Sequence, residues 1–251
     1  MTIANCIIDE CESTNDLARV LGEAGYPSGT WISARQQLKG RGRHSKDWVS
    51  PVGNYYCSWI FRSDSGVTPL SWLPIATGVF IAEVLNKTFP GLDIKIKWPN
   101  DLWVGRRKLG GILCEGFHGT GQKFVVIGVG VNCESSPDNT AVPAISLREA
   151  LPGARVTVEP LRPLIQNAVA TLLVQFSQLP ALMISRKYEK LALLQPGIFV
   201  DWQEAKTSNQ KHSGAVSHVG EFGELWVRRN DTAELQRLLS EDVSIHTISE
   251  I

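Results

Sequence analysis

Leu17, Ala18, Val20 and Leu21 recur at helical spacing behind Ser13-Thr14-Asn15-Asp16, which predicts a helix opened by a side-chain cap and closed at Gly22 and Gly25-Tyr26-Pro27. Residues 30–34 have the β-branched and aromatic content of a short strand, whereas 36–51 carry no apolar period and read as a long polar loop. Residues 54–61 return to strand composition, and 69–88 are apolar nearly all round, as in a buried helix. Short apolar runs at 94–98, 101–104, 108–117 and 124–132, separated by turn-type residues, predict neighbouring antiparallel strands. Helices follow at about 159–178 and 181–194. Past Gln195-Pro196-Gly197 the texture changes to short strands at 198–202, 213–218, 224–227 and 243–245, a small β-barrel-like unit. The Pro-Gly punctuation puts a domain boundary there, giving units 1–194 and 195–251.

Composition narrows the classes. With 43% hydrophobic and 20% charged residues the chain is globular, and 25 Lys plus Arg against 25 Asp plus Glu excludes a surface that is basic throughout. The longest apolar stretch, 73–85, is broken by Glu83 and is shorter than the roughly 20 residues that span a bilayer. The first ten residues have neither the cationic start nor the apolar run of a secretory signal, so a cytoplasmic protein without membrane contact is expected. Cys6, Cys11, Cys57, Cys114 and Cys133 are scattered without a CxxC pair, as reduced and mostly buried thiols would be.

On this neutral chain, positive charge is concentrated in two places. Arg35, Lys39, Arg41, Arg43 and Lys46 face only Asp47; Lys95, Lys97, Arg106, Arg107 and Lys108 face only Asp101. A solvated basic face is one reading. The other is an anion site, because Gly40-Arg41-Gly42-Arg43 lets backbone N–H groups and guanidinium forks converge on a carboxylate or phosphate. The segment is neither a Walker loop nor a dinucleotide fingerprint, since no GK[ST] and no helix follow it. Lys97-Trp98-Pro99-Asn100-Asp101-Leu102 joins a cation, an aromatic, a rigid turn, an amide and a carboxylate; an ordinary hairpin with a core Trp would look the same locally.

Taken in order, Glu12-Ser13-Thr14-Asn15, Gln37 to Arg43, Trp48, Lys97 to Leu102, Arg107-Lys108-Leu109-Gly110-Gly111-Ile112-Leu113 and Ile127-Gly128-Val129-Gly130-Val131-Asn132 resemble the biotin-protein ligase family, the biotin-[acetyl-CoA-carboxylase] ligases. The resemblance covers most of the first unit. It implies an α+β fold of the class II synthetase-like biotin/lipoate ligase type, a mixed β-sheet with helices packed on one side, followed by a small C-terminal SH3-like barrel. It also implies a two-step reaction: biotin and MgATP give biotinyl-5'-AMP and pyrophosphate, and a lysine of the biotin carboxyl carrier protein of acetyl-CoA carboxylase then displaces AMP.

By the same resemblance, Arg43 and Lys108 offset charge repulsion between the biotin carboxylate and the triphosphate. Ser13, Thr14, Asn15 and Gln37 match contacts to the ureido ring, although Ser13 and Thr14 serve equally well as a helix cap. Gly40, Arg41, Gly42 and Gly111 fall among the biotin-binding positions, Arg41 and Gly42 in a loop that closes over the adenylate. Trp48, Asn100 and Asn132 match nucleotide-contacting positions, with a core role open for Trp48. Asp101 is either a base for the incoming lysine or a Mg2+ ligand. His44-Ser45 stands where the family pattern continues with basic and glycine residues, implying a looser grip on the adenylate. About a dozen residues precede Ser13, too few for a winged helix-turn-helix, so the monofunctional class without DNA binding is expected. A homodimer through the sheet is a family option. The rival readings are a lipoate or octanoate ligase of the same fold and a non-catalytic nucleic-acid-binding module.

Overall fold

The computed structural model describes residues 5–62, 66–119, 122–138, 140–204, 211–240 and 243–249. Strand β3 (Tyr55–Phe61) is buried along its whole length, because both faces of the sheet to which it belongs are covered. Tyr55, Cys57, Trp59 and Phe61 point into the large core. Ile60, on the opposite face, joins Ala18, Phe124 and Val126 in a smaller cluster. The period of two along the strand thus divides the molecule into two sides.

The sheet runs in the order β1-β2-β3-β7-β6-β5-β4, with β1 at Asn5–Cys11, β2 at Trp31–Gln37, β4 at Ile94–Lys97, β5 at Asp101–Val104, β6 at Arg107–Gly119 and β7 at Gln122–Val131. The four runs expected between 94 and 132 are β4 to β7, paired antiparallel as expected. The sheet is mixed because of one pair: β1 runs parallel to β2, joined through helix α1 (Thr14–Glu23). Strand β1 is not apparent in the apolar pattern, since this edge strand is mostly exposed and carries Asp9 and Glu10.

That parallel crossover places α1 on its own side. Helices α2 (Leu73–Thr88), α4 (Val158–Gln175) and α5 (Ala181–Leu191) contribute to the large core with Tyr55 and Trp59, whereas α1 packs on Ile60, Phe124 and Val126. The expectation of helices on one side is corrected accordingly. A crossover helix must lie over one face of the pair it joins. Ser13 is the N-cap of α1 but makes no side-chain capping bond, so the predicted cap is corrected too. A short helix that the apolar pattern does not reveal, α3 (Leu147–Ala150), opens with a capping box between Ser146 and Glu149.

Beyond α5, strands β8 (Phe199–Glu204), β9 (Lys211–Val219), β10 (Leu225–Arg229), β11 (Leu235–Leu238) and β12 (Val243–Ser249) form a five-stranded antiparallel sheet in the order β11-β10-β9-β8-β12. Its Val200, Trp202, Leu225 and Val227 are continuous with the large core. The turn after β9 receives three hydrogen bonds from the first unit: Ser71 Oγ donates to the carbonyl of Phe222 (2.5 Å), Trp72 Nε1 to Glu221 (2.8 Å) and Trp98 Nε1 to Gly223 (2.8 Å). Among the described residues, no helix is long and apolar enough to cross a membrane.

The thiols are less uniformly buried than expected: Cys57 and Cys133 are buried, Cys11 and Cys114 half-buried, and Cys6 exposed. Burial raises the Cys133 thiol to about 12, and burial with Asp16 nearby raises Cys11 to about 11. Thiolate is the reactive form, so iodoacetamide at pH 8 is expected to label Cys6 alone at an appreciable rate, the others reacting only after unfolding. Peptide mapping of the alkylated protein checks this; rapid labelling of Cys11 or Cys133 in the folded protein would contradict it.

Candidate active site

On the face that α1 covers, β6 and β7 present Phe117, Phe124 and Val126 beneath the helix, then carry Gly111, Gly128 and Gly130 beyond its N-terminus, with Leu113 the side chain among them. Gly111 pairs with Gly130, and Gly128 with Leu113, so the sheet floor is bare there except for Leu113. A cavity of about 430 Å³ occupies the space, walled by the start of α1, the end of β2, the loop at 38–50, the 97–108 hairpin, Pro137 and the segment at 140–144.

One end of the cavity is a chain of neutral hydrogen-bonding groups. Gln37 Oε1 accepts from the Thr14 backbone N–H (2.8 Å) and lies 3.0 Å from Thr14 Oγ1. Thr14 Oγ1 also meets Ser58 Oγ at 2.8 Å, and Ser58 donates to Asn15 Oδ1 at 2.5 Å. Asn15 Nδ2 donates to Glu115 Oε2 at 2.7 Å, while Gln37 Nε2 donates to Ser50 Oγ at 3.0 Å. Ser13, Thr14, Asn15 and Ser58 are all buried, so each bond orders a group that would be costly to leave unpaired. Ser58 carries no motif in the sequence because it lies in an aromatic strand; its one signal is a serine among the apolar residues of β3, and the register sets it opposite Gly128.

The other end is cationic. Arg43 Nη1 donates to Asn100 Oδ1 at 3.4 Å, and burial pulls its guanidinium below the usual arginine value against the opposing pull of Asp101. Lys108 Nζ lies 2.8 Å from Asp101 Oδ1 and 5.2 Å above the Trp48 ring. Lys97, only 6% exposed, has its pKa lowered by burial, with Asp101 acting against that and Lys108 and Lys46 reinforcing it. Its Nζ donates to the Ile245 carbonyl at 3.2 Å, which brings β12 to the cavity wall. These cations crowd around one carboxylate, an excess that a polyanion would relieve. In the sequence Lys97 stands in a charge run and as the cation of the Lys97 to Leu102 motif, without a role of its own.

The loop at 38–50 folds back on itself through Trp48 N–H to Gly40 O (2.9 Å) and Gly42 N–H to Lys46 O (2.7 Å). Gly40 lies at its base, outside the cavity wall, where a Cβ would stand 2.4 Å from the Trp48 carbonyl. Arg41, Gly42 and Arg43 line the cavity, and His44 and Ser45 hold φ values of 54° and 56°, a region that favours glycine. The Trp48 indole lies against Gly130, and its buried Nε1 has no acceptor among the described residues. Asn132 lines the wall and donates to the Ile145 carbonyl at 3.2 Å. The segment at 140–145 carries no motif in the sequence; it brackets Lys108 through Lys108 N–H to Pro143 O (2.8 Å) and Ile145 N–H to Lys108 O (3.0 Å), and turns Ala141, Val142 and Ala144 to the cavity.

A neutral polar end joined to a cationic end defines a protein that seats a polar, uncharged group and an anionic group side by side. Residues 8–132 match the biotin/lipoate A/B protein ligase family, and the chain belongs to it. It is 35% identical over 133 residues to a biotin-[acetyl-CoA-carboxylase] ligase of Paracoccus denitrificans, covering 52% of this chain and 55% of that protein. It is 40% identical over 130 residues to the bifunctional ligase/repressor BirA of Escherichia coli, covering 50% of this chain and 39% of that one. The chain thus spans about half, or less, of the length of these relatives. In fold it is similar to the biotin protein ligase of Aquifex aeolicus solved with biotin and ATP, with a TM-score of 0.77 and 23% identity over 97% of this chain and 99% of that one.

A methyl group on the bare floor tests the geometry. At Gly128 a Cβ would stand 2.1 Å from Asn15 Oδ1, whereas at Gly116, on the same strand pair, it meets nothing within 4 Å. Gly128→Ala is expected to cost about 1–3 kcal/mol in urea unfolding and to move the Asn15 side-chain amide resonance. Gly116→Ala should change neither; equal effects from the two would contradict this view of the floor.

Proposed function

We propose that the protein is an ATP-dependent biotin-protein ligase, activating biotin as biotinyl-5'-AMP and transferring it to a lysine of the biotin carboxyl carrier protein of acetyl-CoA carboxylase. The observation that carries this reading is the meeting, in one cavity, of the Thr14-Asn15-Gln37 chain with Arg43, Lys97 and Lys108. A ureido ring offers two N–H donors and a carbonyl acceptor, which buried hydroxyl and amide groups can satisfy and a dithiolane ring cannot use. That favours biotin over lipoate. Likeness to the named ligases of Paracoccus denitrificans and Mycobacterium tuberculosis supports it.

In the first step a biotin carboxylate oxygen bonds to the α-phosphorus as the bond to pyrophosphate breaks. Arg43 would span carboxylate and phosphate with its fork, and Lys108 would set a compact charge between them; both neutralise charge that otherwise keeps the reactants apart. Lys97 would face the departing pyrophosphate. Trp48, Asn100 and Asn132, with Ala141 and Val142, would hold the nucleoside, and Arg41 and Gly42 would close the loop over the anhydride against water. In the second step the carrier lysine amine attacks the acyl carbon, its proton leaves, and AMP departs with the bonding electrons. Asp101 would accept that proton once Lys108 has turned to phosphate. Mg2+ would arrive on the triphosphate; Asp101 fits it poorly as a ligand while paired with Lys108 at 2.8 Å.

Residues 195–251 would form an SH3-like domain beside a catalytic domain at 1–194, the enzyme working in the cytoplasm with homodimerisation through the sheet edge as an option. Intact-mass analysis of an unmodified carrier fragment incubated with MgATP and either biotin or lipoate tests the reading, with a mass gain expected from biotin alone. Gain from lipoate would replace the substrate, and no gain together with no pyrophosphate release would sink the proposal. Arg43→Ala and Lys108→Ala are each expected to slow pyrophosphate release by about 100-fold or more at an unchanged thermal midpoint. Near-normal release from either variant refutes the role given to that residue.

A further inference from the structure

Glu115 on β6 is absent from the wall of the main cavity but touches two elements that make it. Its Oε2 accepts from Asn15 Nδ2 at 2.7 Å and lies 3.7 Å from Arg41 Nη2. Arg41 in turn grips Asp16, the residue after Asn15 in the first turn of α1, through two nitrogens at 2.6 and 2.8 Å. The neighbouring Lys39–Glu12 pair is exposed at both ends and holds the loop weakly. Asp16 and Glu115 are therefore the carboxylates through which the loop is fastened to the ring end of the cavity.

A proton count shows what the fastening fixes. A carboxylate only accepts, so Asn15 must turn its NH2 to Glu115 and its carbonyl to Ser58, which donates to it at 2.5 Å. The single Ser58 proton is thereby committed. The Thr14 hydroxyl can then only give its proton, to Ser58 Oγ at 2.8 Å or to Gln37 Oε1 at 3.0 Å, and accepts from neither. Thr14 Oγ1 is left with a lone pair for the cavity and Asn15 with one N–H. One acceptor beside one donor is the complement of one edge of a cyclic urea.

We infer that Glu115 and Asp16 are positioning residues: Glu115 orients the donor and acceptor that read the ring, and its contact with the Arg41–Asp16 pair couples that reading to closure of the loop. This rests on the biotin-ligase reading above. Arg41 draws the Asp16 carboxyl below its ordinary range, so the pair is intact at neutral pH.

The test compares Glu115→Gln and Asp16→Asn with the unaltered full chain by biotin calorimetry and by the rate of tryptic cleavage at Arg41, Arg43 and Lys46, with and without biotin. Glutamine keeps the shape but also donates, so Asn15 can turn over. Biotin affinity is expected to fall about 10-fold or more, and biotin should no longer slow loop cleavage. Asp16→Asn should speed cleavage several-fold in both states, with a smaller loss of affinity. ATP affinity and thermal midpoint should hold in both variants, which a general loss of packing would not allow. Biotin affinity within about twofold of the parent in Glu115→Gln, or unchanged cleavage in Asp16→Asn, overturns the inference while leaving the ligase reading intact. Failure of the unaltered protein to bind biotin overturns both.

Discussion

Everything at the site depends on the absence of side chains from one patch of the central sheet. Gly111, Gly128 and Gly130 leave β6 and β7 bare where Thr14, Asn15 and Trp48 come down on them, and a Cβ at Gly128 or Gly130 would occupy the place of the Asn15 amide or the Trp48 indole. Glycine weakens a strand interior, so such a floor must be supported from elsewhere. Here support comes from beneath, where Ile112, Ile127, Val129 and Val131 face the large core. A stiff sheet with one bare patch fixes the height at which both ends of the cavity meet a ligand.

The charged end follows a different logic. Lys97 is buried and Arg43 half-buried, burial opposes the protonation of both, and the carboxylate they share with Lys108 cannot balance them all. The site stores positive potential in a region partly shielded from water, where Coulomb interactions are stronger than at the surface. An incoming polyanion would complete the charge balance rather than disturb it. The neutral end carries no such excess, which keeps the two halves of the cavity chemically distinct although they share a floor.

How much of this was legible in the sequence depended on whether the signal was local. The turn-punctuated runs from 94 to 132 are the antiparallel strands β4 to β7, because tight hairpins leave their marks between neighbours. Strand β1 was invisible: it is an exposed edge whose partner β2 lies beyond α1, so its residues carry no apolar rhythm. Without β1 the parallel crossover could not be inferred, nor the separate side on which α1 lies. The brief helix α3 carried a readable Ser-x-x-Glu box but too few residues for a period. At the site, motif residues such as Thr14, Arg43 and Lys108 stood out by type and spacing. Ser58, Glu115 and Ile245 are brought in by strand register and by the docking of the second sheet, neither of which a linear reading contains.

The docking of the C-terminal sheet changes how the molecule must come apart. Its turn at 220–223 supplies the acceptors for the indoles of Trp72 and Trp98, and Ile245 supplies one for the Lys97 ammonium. Pulling the sheet away would exchange those acceptors for water, at about 0.5–1.5 kcal/mol for each neutral bond. It would also open the core around Trp202 and Leu225. The C-terminal sheet is therefore not a detachable appendage: the protein should melt in a single cooperative transition, and the rest of the chain should have no stable existence without that sheet.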